Sequence, residues 1–249
     1  MNISKQIDFT LLDSNTTEHD IIVLCEKAMV NNYNSVCVNS CYVALAKQLL
    51  VKSDVMVTTV VGFPLGATTT KSKAFEAKQA VLDGAEEISM VINLGYLKSR
   101  NYVAILKDIT DVKLSIGSKS LKVIIEISEL NKNEIIKACE ICLDGQADFI
   151  ETSTGFSKGG ATFTAIKIIK KTVKNKALIK ATGDITDFDT AIKYLEVGAD
   201  RIGSFTAINP FSNSRQIRNS RIYKQYIEKS KNVNIKIDVP KSMSHKTMR

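Results

Sequence analysis

Lys180 closes the apolar run Ala177-Leu178-Ile179, and strand alternation turns it away from the side that Ile179 faces, toward the interior of whatever sheet holds it. A lysine in that place needs a carboxylate, and the sequence offers Glu151 or Asp8. The amine then has two uses. It is either one half of a structural ion pair or a base and nucleophile tuned by burial and neighbouring charge. Glu151, at the end of Ala147-Asp148-Phe149-Ile150-Glu151, has the matching alternatives of ion-pair partner and general acid or base. Ionisable groups that point inward from adjacent strands are candidates for a functional site.

Further polar residues fall at or just beyond the ends of other apolar runs. They are Asp8, Cys37, Ser89, Asn93, Glu126 and Thr154, followed by Gly183, Asp184, Ser204 and Thr206. The glycine-containing loops Gly155 to Gly160 and Gly183-Asp184 suit backbone N–H groups brought to a phosphate, as barrels often do late in the chain. Taken alone, such loops equally serve to turn the chain.

To collect these residues at one place the chain needs repeated strands. β-rich runs occur at Ile7 to Leu12, Ser35 to Asn39, Val55 to Gly62, Glu87 to Asn93, Leu121 to Ile127, Asp148 to Thr152, Ala177 to Ala181 and Asp200 to Gly203. Helical patterns separate them. Asn15-Thr16-Thr17-Glu18 reads as a polar cap before Ile21, Ile22, Leu24 and Cys25. Lys71 to Asp83 and Ala191 to Val197 run into Gly84 and Gly198, the residues expected to end a helix in a left-handed turn. Eight alternating units in a chain of this size predict parallel strands closed into a (β/α)₈ TIM barrel, with a doubly wound open sheet as the alternative.

Composition fits a soluble protein of 249 residues, 44% hydrophobic and 24% charged. The first residues show no leader pattern and no apolar run is long enough to span a bilayer, so a cytoplasmic location is the expectation. Five cysteines, an odd number, suggest reduced thiols, with Cys139 and Cys142 packing in a helical core over 133–143. His19 and His245 lie far from the cysteine pairs, so no metal site is expected.

The net charge of +8 is unevenly placed. Residues 1–208 carry 24 basic and 24 acidic side chains, whereas 209–249 carry 10 and 2. A single barrel over 1–208 with a basic C-terminal helix and tail over 209–249 is therefore the expected organisation, with Arg218 to Lys229 the helical part. Stacking aromatics in the tail are limited to Tyr223 and Tyr226, so nucleic acid is not the expected partner.

Several stretches together resemble the deoxyribose-phosphate aldolases over about Ile7 to Ile208. They are Ile7 to Leu12, Ser35 to Asn39, Val60 to Ala67, Lys73 to Ala80, Met90 to Asn93, Lys122 to Glu126 and Ala147 to Phe156. The resemblance implies a class I aldolase on a (β/α)₈ barrel. Such an enzyme splits 2-deoxy-D-ribose 5-phosphate into glyceraldehyde 3-phosphate and acetaldehyde, needs no cofactor, and is often a dimer. By the same resemblance Lys180 is the second, pKa-lowering lysine and Asp8 the first-strand relay aspartate. Glu151 stands where the imine-forming lysine belongs, and Ser89 where the fourth-strand relay aspartate does. The resemblance also places substrate contacts at Cys37, Thr154, Gly183, Asp184, Ser204 and Thr206, with Asp184 replacing a glycine of the phosphate loop and Phe205 a hydroxyl residue.

Three functions follow as expectations. The first is an impaired or inactive homologue that can still hold a small phosphorylated sugar. The second is an aldolase with Lys180 as a relocated imine-forming lysine. The third is a non-enzymatic binding protein that uses the basic tail.

Overall fold

The computed structural model describes residues 2–208. Eight parallel strands close on themselves in chain order: β1 (Ile7–Leu11), β2 (Ser35–Val38), β3 (Met56–Val61), β4 (Glu87–Val91), β5 (Ser120–Ile124), β6 (Phe149–Glu151), β7 (Leu178–Thr182) and β8 (Arg201–Ser204). Closure is made by Ile7 opposite Ile202 and Asp8 opposite Gly203. The open-sheet alternative is thereby excluded, and each of the eight expected runs contains or overlaps one strand. The expected terminal helix 218–229 lies outside the described residues.

Helices α1 (Glu18–Asn31), α2 (Val43–Leu49), α3 (Thr70–Leu82), α4 (Leu94–Lys98), α5 (Tyr102–Ser115), α6 (Lys132–Asp144), α7 (Phe163–Val173) and α8 (Phe188–Val197) cover the strands from outside. Their starts are written in short polar side chains. Thr17 and Asp20 form a reciprocal capping box for α1, and Asn131 and Glu134 another for α6. Ile21, Leu24, Cys25 and Ala28 form the buried stripe of α1, while Cys139 and Cys142 are buried on α6 as the helical spacing predicts. Gly84 and Gly198 take positive φ just after α3 and α8.

The core between helices and barrel is built from β-branched residues such as Val36, Val57, Ile88, Val123, Ile150, Ile179 and Ile202, each fully buried. These alternate with residues that point into the barrel, and the inward set is unusually polar. Asp8, Thr58, Glu87, Ser89, Lys122, Glu151, Lys180 and Thr182 are all buried. A fully buried charge is costly unless it is paired, so this interior must be an organised network.

One further buried pair braces the outside. Lys73 of α3 donates to Asp108 of α5 at 2.8 Å and to the carbonyl of Val91 at 3.1 Å, tying both helices to the end of β4. Glu76, one turn on, accepts from the N–H of Gly62 at 2.9 Å and so holds the loop after β3.

Candidate active site

The barrel interior holds three cations and three anions in one connected set. Asp8 is its hub. Its carboxylate accepts from Lys122 at 2.9 Å, Arg201 at 2.9 Å, Ser35 at 2.8 Å and Asn34 at 3.1 Å, and pairs electrostatically with Lys180 at 3.3 Å. Glu87 joins the lower part of the set through Lys122 at 2.6 Å and Arg201 at 3.1 Å, with the Thr58 hydroxyl donating at 3.0 Å. The ring of Phe149 lies below, with Lys122 Nζ 5.6 Å and the Arg201 guanidinium 5.2 Å from its centre.

Lys180 links this lower group to a third carboxylate nearer the C-terminal ends of the strands. Its Nζ lies 3.0 Å from Glu151 Oε1, and the two residues are register partners across β6 and β7. Glu151 is saturated in turn. The Ser89 hydroxyl donates to Oε2 at 2.8 Å and Thr182 to Oε1 at 3.0 Å. Gly203 makes the arrangement sterically possible, since a Cβ there would meet Lys180 Cε and Thr182 Cγ2 at 2.9 Å. The lysine stem therefore crosses β8 where that strand has no side chain.

The electrostatics follow from these contacts. Burial disfavours the charged form of Lys180, but Glu151 and Asp8 outweigh it and hold the amine above the usual lysine range, as ammonium. Burial likewise opposes ionisation of Asp8, yet Lys122, Lys180 and Arg201 together keep it well below the usual carboxylate range. A carboxylate with four hydrogen-bond donors, a further cation beside it and so low a pKa is a fixed anion at neutral pH. Asp8 is placed to orient Lys180 and poorly suited to take up a proton.

Above the ionic network the site becomes apolar. Cys37 is buried with Leu12 and Val60, with Phe63 packed on them, and burial pushes its thiol up to about 12. Phe63 meets Phe156 edge to face at 5.2 Å, and Phe156 meets Phe205 at 6.5 Å. These rings come from the loops after β3, β6 and β8. Phe205 covers Gly155, where a Cβ would lie 2.8 Å from the ring.

Thr154 and Glu126 join the loops after β6 and β5. The Glu126 carboxylate accepts from both the N–H and the hydroxyl of Thr154 through one oxygen, while the other oxygen is buried without a partner. Glu126 adopts a left-handed backbone at φ 54°, and burial raises its pKa. Ser153 Oγ is likewise buried and unpaired.

The structure thus brings Asp8, Ser89, Glu151 and Lys180 into one set joined by ion pairs and the Ser89–Glu151 hydrogen bond. Cys37 sits in the apolar collar and Thr154 on Glu126. Gly183 and Asp184 follow β7, and Ser204, which ends β8, and Thr206 just beyond it bond to the carbonyls of Ile185 and Thr186 in the same loop. Asn93 belongs to none of these groups, because its side chain accepts from Tyr96 N and caps α4. Sequence reading missed Glu87, Lys122, Thr182 and Arg201. The available signal was alternation, since Lys122 stands between Leu121 and Val123 just as Lys180 stands between Ile179 and Ala181. Among the described residues no cluster of three or more His, Cys, Asp or Glu side chains is arranged to hold a metal ion, and no helix is long and apolar enough to cross a membrane.

A closed parallel barrel with ionisable residues directed inward and functional loops at its C-terminal face is the architecture of the (β/α)₈ enzymes. Within that class the chain belongs to the DeoC/LacD family of aldolases, whose signature it matches over residues 3–209. It is 51% identical over 208 residues to a deoxyribose-phosphate aldolase of Finegoldia magna, covering 84% of this chain and 98% of that protein. Among solved structures it is similar to the aldolase QR15, with 40% identity, a TM-score of 0.80, and coverage of 82% of this chain and 92% of that one. It is also similar to the deoxyribose-phosphate aldolase of Aeropyrum pernix, described as a tetramer, at 27% identity and a TM-score of 0.76, covering 82% and 86%.

Proposed function

We propose that this chain is a deoxyribose-phosphate aldolase homologue that has kept the barrel and lost the imine chemistry. One observation carries the reading: a carboxylate, Glu151, stands at the C-terminal end of β6, 3.0 Å from the interior lysine Lys180. The resemblance assigns position 151 to the imine-forming lysine and position 89 to a relay aspartate. A carboxylate cannot form an imine with a carbonyl, and an uncharged hydroxyl is no general base near neutral pH.

The same contact weighs against Lys180 as a relocated nucleophile. Attack on a carbonyl requires the free amine, and Glu151 with Asp8 holds Lys180 as ammonium. Its ammonium is held between Asp8 on β1 and Glu151 on β6, and withdrawing it would leave the buried Glu151 carboxylate without its cation. A basic-tail binding function rests on residues 209–249, outside the described structure. In this reading the unit of function is the barrel over 1–208, assembled as an oligomer of like chains.

The test is borohydride trapping with acetaldehyde, read by intact mass and peptide mapping, with the Finegoldia magna aldolase run alongside. The expected result is an adduct on the control protein and none on this chain. An adduct at Lys180, or measurable cleavage of 2-deoxyribose 5-phosphate, would sink the proposal.

A further inference from the structure

The loops after β6, β7 and β8 are sewn together at their polar groups. Gly160 and Gly183 touch backbone to backbone, where a Cβ on Gly160 would lie 2.3 Å from the Gly183 carbonyl. Ala161 N donates to the carbonyl of Thr182 at 3.0 Å. The N–H of Gly160, which faces the neighbouring loop, donates to Asp184 Oδ2 at 3.1 Å. Asp184 reaches it from a left-handed backbone at φ 60°, a conformation that aspartate tolerates better than most non-glycine residues. The hydroxyls beside it are also committed. Ser204 Oγ lies 2.8 Å from the carbonyls of Ile185 and Thr206 and accepts from Thr206 N at 3.2 Å, and the Thr206 hydroxyl donates to the carbonyl of Thr186 at 3.1 Å.

Two glycines in close contact, a loop N–H and two hydroxyls are the components of an anion site, and here a carboxylate of the chain itself is hydrogen-bonded to the N–H. We infer that Asp184 is a specificity-determining residue that fills this site as an internal anion, so that the barrel mouth rejects phosphate and admits only ligands uncharged at that end. The inference rests on the reading of positions 183, 184, 204 and 206 as the phosphate side of an aldolase-type site. The aromatic cover of Phe205 on Gly155 points the same way, since an apolar ring does not help to hold a dianion.

The experiment is a titration of the full chain with inorganic phosphate, followed through the amide resonances of Gly160, Gly183 and Ser204. In the parent these resonances should not saturate up to millimolar phosphate. In Asp184→Gly they should shift saturably, with at least tenfold tighter binding. Equal saturable binding by parent and variant would overturn the inference, and so would absence of binding in both. If Asp184→Gly does not give a dispersed spectrum, Asp184→Asn tolerates the same positive φ and removes the charge, and it supports or overturns the inference on the same comparison. Trapping with acetaldehyde involves no phosphate. An imine in the parent would therefore refute the lost-chemistry proposal while leaving the phosphate result intact.

Discussion

Glu151 Oε1 and Lys180 Nζ lie 3.0 Å apart on register-paired residues of β6 and β7, and neither side chain is more than 3% exposed. A pair this deep is costly to break from one side, because the remaining partner stays buried and charged. Glu151→Gln should therefore destabilise the fold by about 2–4 kcal/mol, a loss softened by the second contact of Lys180 with Asp8. Thermal unfolding is the measurement, and a fall of roughly 5–15 °C is expected at 2–4 °C per kcal/mol for a chain of this size. An unchanged melting point would mean that Lys180 is not held by Glu151.

Placing a lysine at position 151 tests charge balance as well as chemistry. The interior now counts Lys122, Lys180 and Arg201 against Asp8, Glu87 and Glu151. Glu151→Lys alone would leave four cations facing two anions in a water-poor space, and that variant should be poorly folded. Adding Ser89→Asp supplies the third anion next to the new lysine, since Ser89 Oγ already lies 2.8 Å from the carboxylate at 151. The double variant should fold better than the single one and should be trapped by acetaldehyde and borohydride at position 151. A double variant no more soluble or stable than the single one would refute this coupling.

The barrel was legible in the sequence because its outward strand residues are β-branched and its helices carry explicit caps such as Thr17 and Asn131. Lys180, Glu151 and Asp8 could be named, and Glu151 or Asp8 set against Lys180, but the remaining contacts of Asp8 could not be read. Asp8 meets Arg201 across 193 positions of sequence, a contact fixed only by closing β8 onto β1. Arg201 escaped notice for a related reason. It opens its strand at the polar end of Gly198-Ala199-Asp200-Arg201, where nothing local separates an inward arginine from a solvated one. The self-capping of the late loops was equally hidden, since Asp184 and Gly160 come together only through the contact of Gly160 with Gly183.

Lys73 and Asp108 form the other buried pair, with side chains 0% and 1% exposed. Asp108 also accepts from the Thr70 hydroxyl, so its removal unsettles both ends of the contact between α3 and α5. Asp108→Asn should cost about 3 kcal/mol by leaving the ammonium uncompensated. Lys73→Met with Asp108→Leu should recover most of that loss, because an apolar pair has no charge to solvate. Equal stability of Asp108→Asn and the parent in urea unfolding would show the pair to be dispensable.

All five cysteines are free thiols, and Cys41 alone is exposed. Burial pushes Cys25, Cys37 and Cys139 up to about 12 and Cys142 well above its ordinary value, so thiolate is scarce at each. A thiol reagent at pH 8 should modify Cys41 rapidly and the other four only on denaturation. Fast labelling of Cys37 in the native protein would mean that the collar formed by Leu12, Val60 and Phe63 opens.

The pH dependence of stability should carry two opposite signatures on the acid side. Asp8 is ionised more readily in the folded chain than in the unfolded one, so its contribution is complete above the unfolded value of about 3.9 and is lost as pH falls through its lower folded pKa. Glu126 is shifted the other way by burial. Its contribution is complete below the ordinary value of 4.5 and is lost as pH rises through the raised folded pKa, when a second oxygen without a hydrogen-bond partner must carry charge. Glu126→Gln removes only the second effect. The melting point of that variant relative to the parent should therefore rise from pH 4 to pH 7, by a few degrees at most. A difference independent of pH would show that Glu126 titrates alike in the folded and unfolded chain, and its unpaired oxygen would then need a hydrogen-bond partner in solution.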